Sequence, residues 1–201
     1  MSAPTKCLLN GNGRIGRLVV RYSWEDPTLE VVHINDVCSA ESAAYLLKYD
    51  SVHGTWDKDV KCIDDNTILI DGKSLRFSQK VCIADIDLTG IELVMECTGK
   101  FLSISTLQPY VDRGVQQVVV SAPVKEKGAL NVVLGCNHEK FVDQKIITNA
   151  SCTTNCLAPV VKVIHESFGI KHGCITTIHV RHQGYILIYS YQMRHGGQAV
   201  S

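Results

Sequence analysis

Short apolar runs, each closed by Asn, Asp, Ser or Gly, recur along this chain and alternate with stretches of helical period. Residues 6–10 (KCLLN) read as a buried strand. Ile15, Leu18, Val19 and Tyr22 then fall at i, i+3, i+4 and i+7, one face of a helix. Residues 29–35 (LEVVHIN) read as the next strand, and residues 39–47 as a helix with Ser39 at its N-cap. Residues 60–70 and 73–77 flank Asp71-Gly72, a hairpin signal. Further strands are expected at 91–97 (IELVMEC), 116–121 (QQVVVS), 131–134 (NVVL) and 145–148 (KIIT). Residues 152–168 read as a helix closed by Gly169 and bent at Pro159. Strands that alternate with helices imply an α/β fold on a mainly parallel sheet.

The final stretch breaks the pattern. Residues 181–201 (RHQGYILIYSYQMRHGGQAVS) crowd three tyrosines and a Gly-Gly pair into text without a clear period.

Composition narrows the function classes. The 201 residues suffice for one domain and part of a second. With 45% apolar and 20% charged residues, a packed core is expected rather than disorder. Twenty basic residues balance twenty acidic ones, so nothing electrostatic points to nucleic acid or an anionic membrane. No apolar run reaches the roughly 18 residues that would span a bilayer. Residues 1–6 lack the pattern of a signal peptide. The nine cysteines (7, 38, 62, 82, 97, 136, 152, 156 and 174) are scattered, and without a secretory signal they read as reduced thiols of a cytoplasmic protein. Cys152 and Cys156 are the one close pair, and with no second ligand pair no metal is expected.

Gly11-Asn12-Gly13-Arg14-Ile15-Gly16 is a G-x-G-x-x-G run after a strand and at the start of a helix, the context a dinucleotide loop requires. Glycines there let the backbone approach a pyrophosphate, and the helix N-terminus offers free N–H groups. Asp36 follows Gly16 by 20 residues (36 − 16) and closes the second strand. A carboxylate at that point accepts hydrogen bonds from ribose hydroxyls and repels a 2′-phosphate, so NAD is favoured over NADP. The bland alternative is a tight turn and a surface aspartate.

Cys152 stands where a strand hands over to a helix. A thiol there is stabilised as thiolate by the helix dipole and nearby N–H groups. Ser151 and Thr153 beside it are polar, an unusual setting for a packing cysteine. Cys152 is therefore the candidate nucleophile of an aldehyde-oxidising, dinucleotide-dependent enzyme. Cys7, Cys62, Cys82 and Cys97 lie in apolar text and are read as packing residues. A nucleophilic thiol needs a base. Of the eight histidines, His179 is the candidate because it closes the run CITTIH, but spacing alone does not pair it with Cys152.

The pieces NGNGRIGRLVVR (10–21), HIND (33–36), KYDSVHG (48–54), CTGKF (97–101), VVVSAPVK (118–125), GCNHEKF (135–141), ITNASCTTNCLAPVVKVIHESFGI (147–170) and TTIH (176–179) resemble, in order, phosphorylating glyceraldehyde-3-phosphate dehydrogenases. The resemblance runs over residues 6–179. It implies a Rossmann-type NAD-binding domain at 1–150, the start of an α+β catalytic domain at 151–179 and a divergent tail at 180–201. It implies that Cys152 forms a thiohemiacetal with glyceraldehyde 3-phosphate, that His179 is the base, and that inorganic phosphate releases the acyl group. It implies cofactor contacts from Asn10, Gly11, Gly13, Arg14, Ile15, Gly16, Asp36, Lys80, Thr98, Gly99 and Ser121, and substrate contacts from Ser151, Cys152 and Thr153. Lys80 stands where many relatives carry arginine, and Asn12 where phenylalanine is usual. A homotetramer is the implied assembly.

The motifs stop after His179. Where the family carries a threonine that holds the substrate phosphate, this sequence has His182. The family's large antiparallel sheet, substrate-phosphate arginine, nicotinamide-orienting asparagine and C-terminal helix are not recognisable. The tail reads as the product of a shifted frame, an alternative exon or a truncated gene, and the chain by itself is expected to have little dehydrogenase activity. Two other readings stay open: a sister dehydrogenase acting on erythrose 4-phosphate or linked to arsenate, and a non-catalytic NAD-binding or redox-sensing fragment in which Cys152 is oxidised.

Overall fold

The structure, a computed structural model, describes the backbone of residues 3–180, 186–194 and 199–200 and the side chains of residues 3–178. It divides into two compact units, Met1–Val132 with Glu139–Ala150 and Val133–His138 with Ser151–Ser201.

The first unit contains β1 (Thr5–Asn10), α1 (Arg14–Ser23), β2 (Leu29–Asn35), α2 (Ala40–Lys48), β3 (Tyr49–Asp50), β4 (Gly54–Thr55), β5 (Val60–Asp64), β6 (Thr67–Ile70), β7 (Lys73–Ser78), β8 (Leu93–Glu96), α3 (Ile104–Asp112), β9 (Gln117–Val120), β10 (Leu130–Asn131) and β11 (Ile146–Thr148). Nine of these strands form one sheet in the order β10-β11-β9-β8-β1-β2-β7-β6-β5. From β10 to β7 every neighbour is parallel, and the β7-β6-β5 end is antiparallel. The chain leaves β1 for β2 on one side and later adds β8 on the other. That reversal is the point where open α/β sheets bind ligands, beyond the carboxyl ends of the strands.

Both faces of the sheet are buried, which explains the continuous apolar strand text. Cys7, Leu9, Val31 and Ile34 pack with Val20 of α1 and Ala43 and Leu47 of α2. Leu8, Val94 and Val118 pack with Leu107 and Tyr110 of α3. The pairing of β1 with β2 is broken once: Cys7 faces Val31, but Leu8 faces His33, so Val32 is an extra, bulged residue. Ile34 then aligns with Leu9 and Asn35 with Asn10.

Helix α1 forms as the period predicts, but its apolar stripe is not its core face. Ile15 is 53% and Tyr22 79% exposed, while Gly16, Arg17 and Val20 are buried. Two tertiary demands set this rotation. Gly16 packs against the Gly11 carbonyl, and Arg17 reaches the carboxylate of Asp50 through Nε at 2.9 Å and Nη2 at 2.8 Å. Asp50 also accepts the N–H groups of Val52 and His53, at 2.8 and 2.9 Å.

Other expectations need adjustment. The 60–70 run is two strands, broken between Asp64 and Thr67. The Asp71-Gly72 hairpin forms with both residues left-handed, φ 47° and 79°. The 131–134 run contributes only its first residue to a strand. Helix α3, absent from the sequence reading, starts at a Ser103–Thr106 capping box.

The second unit contains α4 (Cys152–Phe168), β12 (His172–Val180), β13 (Ile186–Arg194) and β14 (Ala199–Val200). Gly169, φ 74°, ends α4 and donates its N–H to the His165 carbonyl at 2.9 Å. Pro159 sits inside the helix. The three strands form an antiparallel sheet in sequence order, with His172 opposite Arg194 and Val180 opposite Ile186. Part of the patternless tail is therefore strand.

Candidate cofactor cleft and thiol helix

At the carboxyl ends of β1, β2 and β8 lies an open cleft of ≈ 150 Å³. Of the residues assigned to the cofactor by resemblance, Asn10, Gly11, Gly13, Asp36, Lys80 and Thr98 line it. Asn35, Val37, Val81, Cys97, Lys100 and Phe101 complete the lining; none of them was assigned to the cofactor from sequence, and Cys97 was expected only to pack. Arg14, Ile15, Gly16, Gly99 and Ser121 stand outside that lining. Arg14 points to Asp50 at 3.4 Å. Ile15 lies on the exposed stripe of α1. Ser121 directly follows β9, and its N–H donates to the Glu96 carbonyl at 2.9 Å.

The glycine loop fits a dinucleotide for steric reasons. A Cβ on Gly11, at φ 97°, would lie 2.7 Å from the Thr98 nitrogen, and one on Gly16 would lie 1.8 Å from the Gly11 carbonyl oxygen. Those two glycines let the loop fold tightly. Gly13 is different: nothing lies within 4 Å of where its Cβ would be, which leaves room for a bound group. No side chain caps the N-terminus of α1 and no acidic residue occupies its first turn, so its N–H groups and positive dipole end suit a pyrophosphate. NAD therefore fits this cradle.

Asp36 is held in place by the loop it serves. Its carboxylate accepts the Asn12 N–H at 2.5 Å and the Cys38 N–H at 3.0 Å. Asn12, in place of the usual phenylalanine, is buried and donates through Nδ2 to the Ala43 carbonyl at 3.2 Å. Lys80 and Lys100 supply positive charge to the same cleft.

In the second unit Ser151 is the N-cap of α4 and accepts the Thr154 N–H at 3.1 Å. Thr153 Oγ1 lies 3.1 Å from the Ser151 hydroxyl. Cys152 is thus the first residue of the helix, and it is exposed. The residue before the cap, Ala150, adopts a left-handed backbone with φ 52°. A non-glycine residue there costs on the order of 1–2 kcal/mol, and such strain gathers at functional sites. His179 lies in β12 opposite Leu187, and its side chain is outside the described residues.

The other thiols separate into two groups. Burial pushes Cys7, Cys38 and Cys97 up to about 11, aided at Cys38 by the Asp36 charge, so these stay protonated at neutral pH. Cys82, expected to pack, is exposed, because it precedes a short 3-10 turn at Ile83–Asp85 on the surface. Cys156, one turn after Cys152, is exposed as well. Among the described residues no group of three His, Cys, Asp or Glu could hold a metal ion. No described helix is long and apolar enough to cross a membrane.

Known proteins resemble each of the two parts. Residues 5–104 match the family model described as glyceraldehyde 3-phosphate dehydrogenase, NAD binding domain, and residues 151–195 match the corresponding C-terminal domain. The second match continues beyond His179, so likeness extends further into the tail than the motifs indicate. The chain is 54% identical over 176 residues to glyceraldehyde-3-phosphate dehydrogenase 3 of Nostoc sp., covering 85% of this chain and 52% of that protein. It is 44% identical over 173 residues to the cytosolic enzyme of Leishmania mexicana, with the same coverage. To glyceraldehyde-3-phosphate dehydrogenase A of Escherichia coli it is 42% identical over 173 residues, again covering 85% and 52%. The chain spans about half the length of the curated relatives it matches. With one family's two domain models matched in order and 54% identity to a member, this chain belongs to the glyceraldehyde-3-phosphate dehydrogenase family.

Proposed function

We propose that this chain carries the cofactor-binding and thiol-bearing parts of an NAD-dependent, phosphorylating glyceraldehyde-3-phosphate dehydrogenase. The observation that carries the reading is Cys152 itself: exposed, first in its helix, next to a serine cap and two residues past a strained alanine. Helix N-terminal N–H groups at that point favour developing negative charge.

In this reading the Cys152 sulfur adds to the carbonyl carbon of glyceraldehyde 3-phosphate, and the carbonyl oxygen becomes the hydroxyl of a thiohemiacetal. His179 takes the hydroxyl proton as hydride leaves the same carbon, which yields a thioester. NAD, when bound, supplies the hydride acceptor. Inorganic phosphate then attacks the thioester carbon, the C–S bond breaks, and 1,3-bisphosphoglycerate departs from the regenerated thiolate. Gly11, Gly13 and the first turn of α1 hold the pyrophosphate, with Arg14, Ile15 and Gly16 shaping that turn. Asp36 takes the adenine ribose, Lys80 lies beside the adenine, and Thr98, Gly99 and Ser121 shape the opposite wall. Ser151 and Thr153 contact the substrate side of the thiol. The family's homotetramer and a cytoplasmic location belong to the same proposal, and one relative is named as cytosolic.

Alkylation of the chain near neutral pH, mapped by mass spectrometry, tests the thiol. Cys152 should react faster than Cys82 and Cys174, which are exposed too. Equal rates at the three thiols, or calorimetry showing no NAD binding, would sink the reading.

A further inference from the structure

A row of polar side chains runs across the sheet directly beneath the cleft. Ser78, Asn35, Asn10 and Glu96 end β7, β2, β1 and β8, four neighbouring strands, and they are register partners one after another. The bulge at Val32 places Asn35 on the same face as Asn10. Asn10, Asn35 and Glu96 are buried, at 2%, 1% and 1% exposure.

Every donor in the row points the same way. The Ser78 hydroxyl donates to Asn35 Oδ1 at 2.7 Å, Asn35 Nδ2 to Asn10 Oδ1 at 2.7 Å, and Asn10 Nδ2 to Glu96 Oε2 at 2.7 Å. Glu96 Oε2 also accepts the Tyr110 hydroxyl at 3.0 Å. Glu96 Oε1 accepts the Thr98 N–H at 2.9 Å and its hydroxyl at 2.5 Å. Four accepted bonds suit an acceptor-only carboxylate, and chains of aligned bonds reinforce one another.

The two ends of the row hold the two walls of the cleft. Asn35 grips the backbone of Lys80 on both sides: Oδ1 accepts its N–H at 2.8 Å, and Nδ2 donates to its carbonyl at 2.9 Å. Glu96 grips Thr98. Lys80 and Thr98 both line the cleft. Asn10 touches neither of them and joins the two grips. Its amide is spent inside the row, on Glu96, Tyr110 and Asn35.

We propose that Asn10, Asn35 and Glu96 are positioning residues that set the distance between the Lys80 wall and the Thr98 wall, with Asn10 as the joint. The ligand side of the proposal rests on the NAD reading above; the mechanical side does not.

Amide hydrogen exchange on the whole chain tests the mechanical side. In Asn10→Ala, exchange should quicken about tenfold at both Lys80 and Thr98, while Ile68 and Val118, elsewhere in the sheet, keep their wild-type rates. Tyr110→Phe, a milder change that removes one donor to Glu96, should quicken Thr98 alone. Unchanged rates at Lys80 and Thr98, or a uniform rise across the sheet, overturn the proposal.

Binding tests the ligand side. Asn10→Ala should raise the Kd for NAD about tenfold, and Tyr110→Phe, at a residue outside the cleft lining, should raise it by a smaller factor. An unchanged Kd in both variants, or a loss in Asn10→Ala with none in Tyr110→Phe, overturns the proposal. If the wild-type chain binds no NAD, the preceding reading fails, and the exchange rates still decide whether the row spans both walls.

Discussion

A Cβ on Gly16 would sit 1.8 Å from the carbonyl oxygen of Gly11, a backbone atom with nowhere to go. Gly16 is helical, so propensity alone favours alanine there by about 1 kcal/mol. The overlap is far larger than that gain. Gly16→Ala should therefore destabilise the first unit by several times that gain, on the order of 3 kcal/mol, as read from urea unfolding. Gly13→Ala should leave stability within about 0.5 kcal/mol, because its Cβ meets nothing, yet should weaken NAD binding by filling the space left for it.

Asp36 binds its own loop through Asn12 and Cys38. Asp36→Ala should loosen that loop and remove the ribose acceptor together. NAD affinity should fall about 10- to 100-fold. Discrimination against NADP should narrow, since Lys80 and Lys100 remain in the cleft while the repelling charge is gone. Competition binding with the two cofactors checks both effects.

His33 links the row to pH. Its Nε2 lies 2.8 Å from the Ser78 hydroxyl oxygen and its Nδ1 3.2 Å from the Asp87 carbonyl oxygen. Burial, and then the Arg76 charge, push the ring down to about 4 from 6.5. The unfolded chain therefore binds a proton that the folded chain refuses as pH falls from 6.5 towards 4. Stability contributed by the neutral ring is full above 6.5 and lost across that window. The loss is on the order of 3 kcal/mol. His33→Asn should flatten this part of the stability profile, measured by denaturant titration at stepped pH.

Asp50 works at lower pH. The N–H groups of His53 and Val52, then Arg17, hold its carboxyl well below the ordinary 3.8. Its contribution is complete above 3.8 and is lost only as pH falls further, towards the folded value. Asp50→Asn should be less stable at neutral pH, and its stability should change less on acidification through that range than that of the wild type.

The sheet and the glycine loop were legible because each depends on local chemistry: apolar runs of strand length, and glycines where backbone must approach backbone. The rotation of α1 was not. Its apolar stripe pointed one way, but Gly16 against Gly11 and Arg17 against Asp50 decided the matter, and both contacts are tertiary. Helix α3 hid behind Pro109, although the Ser103–Thr106 capping box announced it. The polar row left a trace in KCLLN, LEVVHIN and ELVME, three apolar runs that end in an amide or a carboxylate. Nothing in the sequence says that these ends are neighbours, because the order β8-β1-β2 is not the chain order. The polar, exposed setting of Cys152 at the start of α4 was legible from Ser151 and Thr153, whereas the strain at Ala150 was not.

The bulge at Val32 makes chain length, rather than residue type, the sensitive quantity in β2. Because Val32 is the extra residue, its deletion would leave Leu8 opposite His33, Leu9 opposite Ile34 and Asn10 opposite Asn35, and the polar row would survive in regular pairing. One residue inserted between His33 and Ile34 would do the reverse: Ile34 would stand opposite Asn10 in the polar row, and Asn35 would pass beyond the end of β1. A substitution at Val32 changes one half-buried side chain; a single-codon insertion just after His33 would take one wall of the cleft off its anchor.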